Sequence, residues 1–290
     1  VAEIYYRANS FERITVADPF MGGGTPLLEA NRLGCDVVGT DINPMAAWVV
    51  REEIDALDLE AYEKTAEKLF AHLACEIGRL YKTRCPVSGR SDADVKYFLW
   101  VKTGMCTACA SGFDLFPGYV LAEDARHPAY VLVCPSCGDL NEAADLENLG
   151  SCACGKALSI SGPVKRNKCA CPHCGHVNST PFHGDGPPSH RLFAIEYHNP
   201  ELKDRPGRLF KKPDAEDLAR VQEAEVLLAN MQTSFVPDDQ IPEGDETNRL
   251  HRWGYNRFRE LFNQRQLLAL ETAARFIAKI EDRRLRRAFA

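Results

Sequence analysis

Four cysteine pairs at metal-ligand spacing constrain this chain more than any other feature. They are Cys106-x-x-Cys109, Cys134-Pro135-Ser136-Cys137-Gly138, Cys152-x-Cys154-Gly155 and Cys171-Pro172-His173-Cys174-Gly175. Each short loop aims two thiolates at one point, while small or glycine residues free backbone amides to donate to sulfur, and two such loops complete a tetrahedral site. Eight cysteines in four loops therefore predict two metal-closed ribbons. Taken in chain order, Cys106 and Cys109 pair with Cys134 and Cys137, and Cys152 and Cys154 with Cys171 and Cys174; a crossed arrangement is the alternative. Two zinc ions are expected, with iron in a rubredoxin-like centre as the other choice, since Cys-Pro-x-Cys-Gly knuckles serve both metals.

The remaining cysteines sort around these. Cys169-Ala170-Cys171 offers Cys169 as a ligand in place of Cys171, whereas Cys85-Pro86-Val87-Ser88 reads as a knuckle that has lost its second thiolate, where no metal is expected. Cys35 and Cys75 lie in apolar settings that suit small buried residues. His173 and His176 flank knuckles whose thiolates already fill the site. With 12 cysteines, mostly at ligand spacing, a reducing compartment with bound metal explains the pattern better than disulfides. No apolar run is long enough for a bilayer and the N-terminus lacks a signal-peptide pattern, so a soluble, cytoplasmic protein is expected.

A second signature precedes the cysteines. Ile14-Thr15-Val16-Ala17 is a short β-rich run, and Asp18-Pro19-Phe20-Met21-Gly22-Gly23-Gly24-Thr25 is a glycine-rich turn. Thr25 suits a helix cap, Pro26 the first turn and Gly34 the stop, and Asp36-Val37-Val38-Gly39-Thr40-Asp41 reads as a second buried strand. The order strand, glycine turn, helix, strand, acid is the opening of a doubly wound α/β domain, whose ligands sit at the carboxyl ends of the strands. The glycines let the backbone approach a ligand, and Asp41 is placed to accept hydrogen bonds from two ribose hydroxyls. Asp18 would repel a pyrophosphate but attract an ammonium. S-adenosylmethionine, with an ammonium, a ribose and no phosphate, therefore fits better than a dinucleotide.

The turn resembles the cofactor motif of amino-group DNA methyltransferases, usually Asp-Pro-Phe-x-Gly-x-Gly-Thr, and Gly39-Thr40-Asp41-Ile42-Asn43-Pro44 resembles their second motif. The resemblance implies that Asp18 faces the methionine end, that Phe20 and the glycines line the cofactor, and that Asp41 holds the ribose. The implied cofactor-binding set is Asp18, Pro19, Phe20, Gly22, Gly23, Gly24, Thr25, Asp41 and Asn43. Together with the cysteine knuckles, Tyr97-Phe98-Leu99-Trp100, Phe113-Asp114-Leu115-Phe116-Pro117-Gly118-Tyr119 and Arg249-Leu250-His251-Arg252-Trp253-Gly254-Tyr255 resemble the zinc-ribbon-containing adenine-specific DNA methylases. These are bacterial and archaeal proteins often linked to phage defence.

That resemblance covers nearly the whole chain. It implies an incomplete Rossmann-like class I S-adenosylmethionine-dependent methyltransferase fold with an inserted double zinc ribbon, adenine N6 methylation of DNA, and defence-system partner subunits. The alternatives are an RNA base methyltransferase and a non-catalytic zinc-dependent nucleic-acid-binding subunit. Residues 1–83 would bind the cofactor, 84–180 form the ribbon insertion, and 181–290 continue the methyltransferase domain. Such enzymes transfer the methyl group from an Asp/Asn-Pro-Pro-Tyr/Phe loop. The sequence has only Pro187-Pro188, between Gly186 and Ser189; it reads as a loop, no catalytic residue is assigned, and the chain from Val1 to Ala290 reads as a fragment.

Elsewhere the patterns are structural. Residues 59–81 carry Tyr62, Leu69, Phe70, Leu73, Ile77, Leu80 and Tyr81 at helical spacing, predicting a helix packed on the sheet. Loop-rich residues 181–213 hold His183, Asp185 and His190, a weak metal trio or a solvated loop. Asp214 can cap a helix bearing Leu218, Val221, Leu228 and Met231, and Asn263 with Gln266 marks the start of the last one. Arg252-Trp253-Gly254-Tyr255-Asn256-Arg257-Phe258 could grip phosphates and stack bases, or pin the ribbons to the sheet. Net charge is −6, yet residues 249–290 hold eleven Arg and Lys against four Asp and Glu, which suits a solvated face as well as a DNA contact.

Overall fold

The computed structural model describes residue 11 and residues 13–123, 129–181, 186–198 and 209–290. In chain order the first elements are β1 (Thr15–Asp18), α1 (Thr25–Arg32), β2 (Asp36–Gly39), α2 (Pro44–Ile54), α3 (Leu59–Ile77) and β3 (Lys82–Thr83). There follow β4 (Ala93–Met105), β5 (Gly112–Asp114), β6 (Val120–Ala122), β7 (Tyr130–Val133), β8 (Leu140–Ala143), β9 (Val164–Lys165), β10 (Lys168–Ala170) and β11 (Val177–Ser179). The chain continues through β12 (His190–His198), β13 (Leu209–Lys211), α4 (Ala215–Ala229), α5 (Asn248–His251), α6 (Gln264–Ala278) and α7 (Arg283–Phe289). The fold is mixed α/β in two compact units. One takes the described residues up to Ala71 together with Ala274–Ala290, and the other takes His72–Ala273. These units cut across the three segments expected from sequence, because both long helices, α3 and α6, contribute to each.

In the first unit β1 and β2 pair in parallel, Thr15 opposite Asp36 and Asp18 opposite Gly39. Met21, Leu27 and Val50 form the core, with Val16, Val37, Ala47 and Ile54 packed around them. Pro26 lies in the first turn of α1, as expected, but Thr25 is not its cap: the helix starts at Thr25 and the preceding Gly24 is left-handed, with φ 72°. A Cβ on Gly24 would overlap the Val50 side chain, so packing of the turn on α2 requires glycine. Arg284 and Arg287 of α7 both pair with Glu52 of α2, and Tyr62 stacks on Phe289 at 4.6 Å. Among the described residues this parallel sheet has two strands. The opening of an α/β unit is present; the complete doubly wound sheet is not seen.

The second unit is dominated by an antiparallel sheet in the order β13-β12-β4-β3, with β5 pairing β4 beyond that path. β12 returns along β4 from His190 opposite Lys102 to His198 opposite Asp94. On this sheet Cys85, Ala93, Leu192, Ile195, Tyr197 and Leu209 form one apolar cluster. A separate helical core joins Ile77 and Leu80 to Ala224 and Leu228 of α4 and Leu267 and Leu268 of α6. The C-terminal end of α3 thus packs on helices rather than on the sheet expected for it, and Phe70 is 69% exposed, about 100° round the helix from the Leu69, Leu73, Ile77 row. Cys75, expected to be buried, is exposed for the same reason, whereas Cys35 is buried.

The caps follow the expected chemistry. Asp214 accepts from the amides of Glu216 and Asp217, and its own amide donates back to the Asp217 carboxylate. At α6, Asn263 and Gln266 exchange the same pair of bonds, at 2.9 and 3.0 Å. The Asp217 side chain is buried with Lys211, whose Nζ lies 2.8 Å from Asp217 Oδ2 and 3.0 Å from Thr83 Oγ1. This fully satisfied polar knot joins β3, β13 and the start of α4.

Candidate metal centres and cofactor turn

The cysteines form two groups of four, each within 4.8 Å sulfur to sulfur: Cys106, Cys109, Cys171 and Cys174, and Cys134, Cys137, Cys152 and Cys154. Pairing is therefore nested, not sequential, which overturns the arrangement taken from chain order. Antiparallel β4 and β12 supply the reason. The first knuckle follows the end of β4 and the fourth precedes the start of β12, and those ends lie side by side in the ladder at Lys102 and His190. The chain between them must make a closed excursion, which carries the second and third knuckles out together on the hairpin sheet β6-β7-β8.

The four close contacts are Cys106–Cys174 at 3.7 Å, Cys109–Cys171 at 3.8 Å, Cys134–Cys154 at 3.6 Å and Cys137–Cys152 at 3.6 Å. A tetrahedron with zinc–sulfur bonds of about 2.3 Å has edges of about 3.8 Å, so both groups fit a zinc ion, whereas a disulfide would need about 2 Å. A related turn builds each knuckle, closed by a bond from four residues on in three of them and from three residues on at Cys152. The carbonyl of its first cysteine accepts from Ala110, Gly138, Gly155 or Gly175, and each of these donors has positive φ, from 56° to 83°. The turn leaves amides facing sulfur: Ser136 N donates to Cys134 Sγ and His173 N to Cys171 Sγ, both at 3.4 Å.

These amides tune the thiols. Burial works against the Cys106 thiolate, yet the amides of Cys109 and Ala108 and the Asn178 side chain outweigh it and bring the pKa to about 6. The Cys134 thiol falls to about 7 against burial, through the amides of Cys137 and Ser136. At Cys137 and Cys174 amides again act to lower the pKa, but burial and the neighbouring thiols outweigh them and push it the other way, up to about 12. Each group thus holds a thiol ready to ligate a metal beside one that a metal would have to deprotonate. Cys169 is raised as well: burial, with Cys171 nearby, takes it to about 11. It lies in the apolar cluster with Cys106, Phe113, Leu115 and Cys171, while Cys171 takes the ligand position. Cys85 closes a fifth turn of the same form, its carbonyl accepting from Gly89, with Ser88 where the second thiolate would be and Tyr197 Oη 3.7 Å from its sulfur. His173 and His176 are exposed.

Trp253 answers one of the open alternatives. It packs on the apolar cluster around the outer centre, the group of Cys106, Cys109, Cys171 and Cys174, with Lys102 Nζ 4.1 Å over its ring, and Tyr255 is buried. The aromatic run therefore pins the outer ribbon to the sheet. Much of the basic tail is committed as well: Arg257 and Arg259 pair with Asp238, Arg284 and Arg287 with Glu52, and Arg265 is buried. Sequence reasoning could not distinguish these from solvated charges. Of the loop trio, His183 and Asp185 lie outside the described residues. His190 faces Tyr255 Oη at 3.4 Å.

In the first unit, Asp41 ties the glycine turn to the loop after β2. Its Oδ2 accepts from Gly22 N at 2.9 Å and its Oδ1 from Asn43 N at 2.8 Å. These two amides, Asn43 foremost, lower its pKa. Asp18 Oδ1 accepts from Phe20 N at 3.0 Å, and Asn43 caps α2 by accepting from Met45 N at 3.0 Å. Each carboxylate oxygen keeps a further lone pair. Phe20 is 87% exposed and Ile42 fully so, and nothing stands within 4 Å of a Cβ placed on Gly22 or Gly23. The expected residues Asp18, Pro19, Phe20, Gly22, Gly23, Gly24, Thr25, Asp41 and Asn43 thus lie together at the carboxyl ends of β1 and β2.

No known family, curated protein or solved structure matches the chain. What fold and geometry define is a mixed α/β protein with two four-cysteine clusters compatible with zinc ribbons. No helix among the described residues is long and apolar enough to cross a membrane.

Proposed function

We propose that the first unit binds S-adenosylmethionine and that the protein serves adenine N6 methylation of DNA, with two zinc ions holding the ribbons. The observation that carries the cofactor reading is Asp41: a solvent-facing carboxylate, pre-ordered by two amides, at the end of the second strand and beside an open glycine turn. Its remaining lone pairs suit the two hydroxyls of a ribose. Asp18, on the neighbouring strand end, supplies the second negative charge, which suits the ammonium of the methionine moiety and disfavours a pyrophosphate. When bound, the cofactor supplies an electrophilic methyl group. Exposed Phe20 offers a face for the adenine ring, and Asn43, through its cap on α2, fixes the loop that follows Asp41.

DNA as the acceptor rests on the resemblance of the motifs and on the zinc ribbons. The sequence contains no Asp/Asn-Pro-Pro-aromatic segment, so binding is the decisive test for this chain. Calorimetric titration should detect S-adenosylmethionine, and Asp41→Ala should weaken it by ~1–3 kcal/mol, the range for loss of a charged hydrogen-bond partner. Asp41→Asn, which keeps the shape, separates the charge from the loop tie. Equal affinity of parent and both variants would remove the ribose assignment, and binding of NAD in place of S-adenosylmethionine would remove the cofactor reading altogether.

A further inference from the structure

In the second unit, a cleft of about 570 Å³ opens between β4, α4 and the start of α6. Its size lies within the range of small-molecule sites. Tyr81, Tyr97, Phe98, Trp100 and Phe262 supply aromatic surface, and Arg265 lies among them. Arg265 is 4% exposed. Its guanidinium carbon stands 3.1 Å from the centroid of Phe98 and 5.3 Å from that of Tyr81. Yet its Nε and Nη1 have no hydrogen-bond partner among the described residues, and neither does Trp100 Nε1 in the same cleft. Burial pulls the guanidinium down only to about 10, so it is charged at neutral pH.

A buried cation without an anion is costly, and two orphan donors beside one cavity are not needed by the fold. The helix start adds to the demand. Asn263 satisfies the amide of Gln266, whereas the amides of Gln264 and Arg265 precede the first intrahelical bond and carry the positive end of a fifteen-residue helix. Two carboxylates also line the cleft, Glu260, whose Oε2 accepts from the amides of Asn256 and Arg257 at 2.6 and 2.9 Å, and exposed Glu225, but neither supplies a hydrogen bond to the Nε or Nη1 of Arg265. The cleft thus combines flat π surfaces with buried donors that lack an acceptor.

We propose that this cleft binds a nucleotide, its base stacked between Phe262 and Trp100 and its phosphate drawn to Arg265 and the start of α6. The nucleotide is either free or part of a single strand. Both orphan guanidinium nitrogens are sealed from water, so the phosphate reaches them by displacing a side chain at the mouth. Gln266, exposed at the start of α6, is the one with room to move. The proposal is independent of the cofactor turn, and its test uses no S-adenosylmethionine.

Calorimetric titration of the whole chain with dAMP, deoxyadenosine, inorganic phosphate and a short single-stranded oligonucleotide tests it. Either dAMP or the oligonucleotide should bind, and which of them is tighter identifies the source. Deoxyadenosine should bind about tenfold more weakly or worse, the loss expected for a charged hydrogen bond, and phosphate alone should not compete. Arg265→Met, which keeps an unbranched side chain at the site, should abolish phosphate discrimination. Phe262→Ala, at a partly exposed site, should weaken binding with little change in melting. Equal affinities for dAMP and deoxyadenosine, unchanged binding by Phe262→Ala, or no binding by any of the four probes would each overturn the proposal.

Discussion

The two four-cysteine centres share ligand type, edge length and turn geometry, yet they are held in different ways. The outer centre joins knuckles 62 positions apart, measured from Cys109 to Cys171. It is set against Phe113, Leu115, Cys169 and Trp253 at the end of the β4–β12 ladder. The inner centre joins Cys137 to Cys152, only 15 positions apart, and closes the small sheet β6-β7-β8. Lys212 holds it to the rest, donating to Cys137 O at 2.7 Å and pairing with Asp139 at 2.8 Å. The same four-cysteine arrangement thus sits against a core in one place and beside a hairpin in the other.

The largest effect should separate the two. Cys171→Ser should remove one of two zinc ions by elemental analysis and cost more than about 4 kcal/mol, as losses of structural metal do. Cys152→Ser should also remove one ion but cost clearly less. The fourfold difference in loop length accounts for only about 1.2 kcal/mol, so the remainder measures how far the outer metal orders the apolar cluster around it. Equal destabilisation by the two variants in urea would erase the distinction between core and clip. A metal content near zero with intact folding would end the metal reading for both.

A smaller effect tests what supports the outer sulfurs. Asn178 is buried, accepting from the amide and hydroxyl of Thr107, both at 2.9 Å, and donating to Cys106 Sγ at 3.7 Å. Asn178→Ala leaves Thr107 N without its acceptor and should cost roughly 1–3 kcal/mol. It should also weaken the outer site by about 10–100-fold in competition with a chelator, the usual penalty for losing a group that orients a ligand, and leave the inner site unchanged. Loss of both metals together would mean that the centres are coupled.

Much of this was legible from the chain, and the gaps have identifiable causes. All eight clustered cysteines could be read because two thiolates at fixed spacing carry their own geometry, and the caps at Asp214 and Asn263 because they depend on three or four neighbouring residues. The nested pairing could not, since it is decided by β4 and β12, whose alternation is broken by register shifts between Leu192 and Ala194 and between Glu196 and Tyr197. Buried Glu196 in β12 further disguises that strand as a polar segment. The glycine turn and Asp41 are legible as a cluster and the structure gathers them, but Asp41's ties to Gly22 and Asn43 are long-range or conformational and leave no trace in spacing. Arg265 looked like one more surface charge until burial set it apart.

The smallest effect concerns the knuckle turn itself. At the position that donates back to the first cysteine, three knuckles carry glycine and the first carries Ala110, at φ 56°. A side chain in this left-handed region costs roughly 1–2 kcal/mol, so Ala110→Gly should recover about that amount, less the extra entropy that glycine brings to the unfolded chain. The converse change, Gly138→Ala, meets only Lys212 Cε at 4.0 Å and so should cost a similar amount through φ alone. Urea melts of the two variants should move in opposite directions. If Ala110→Gly does not stabilise, the methyl group of Ala110 supplies packing that outweighs its backbone strain, and the outer knuckle differs from the inner one in its turn as well as in its surroundings.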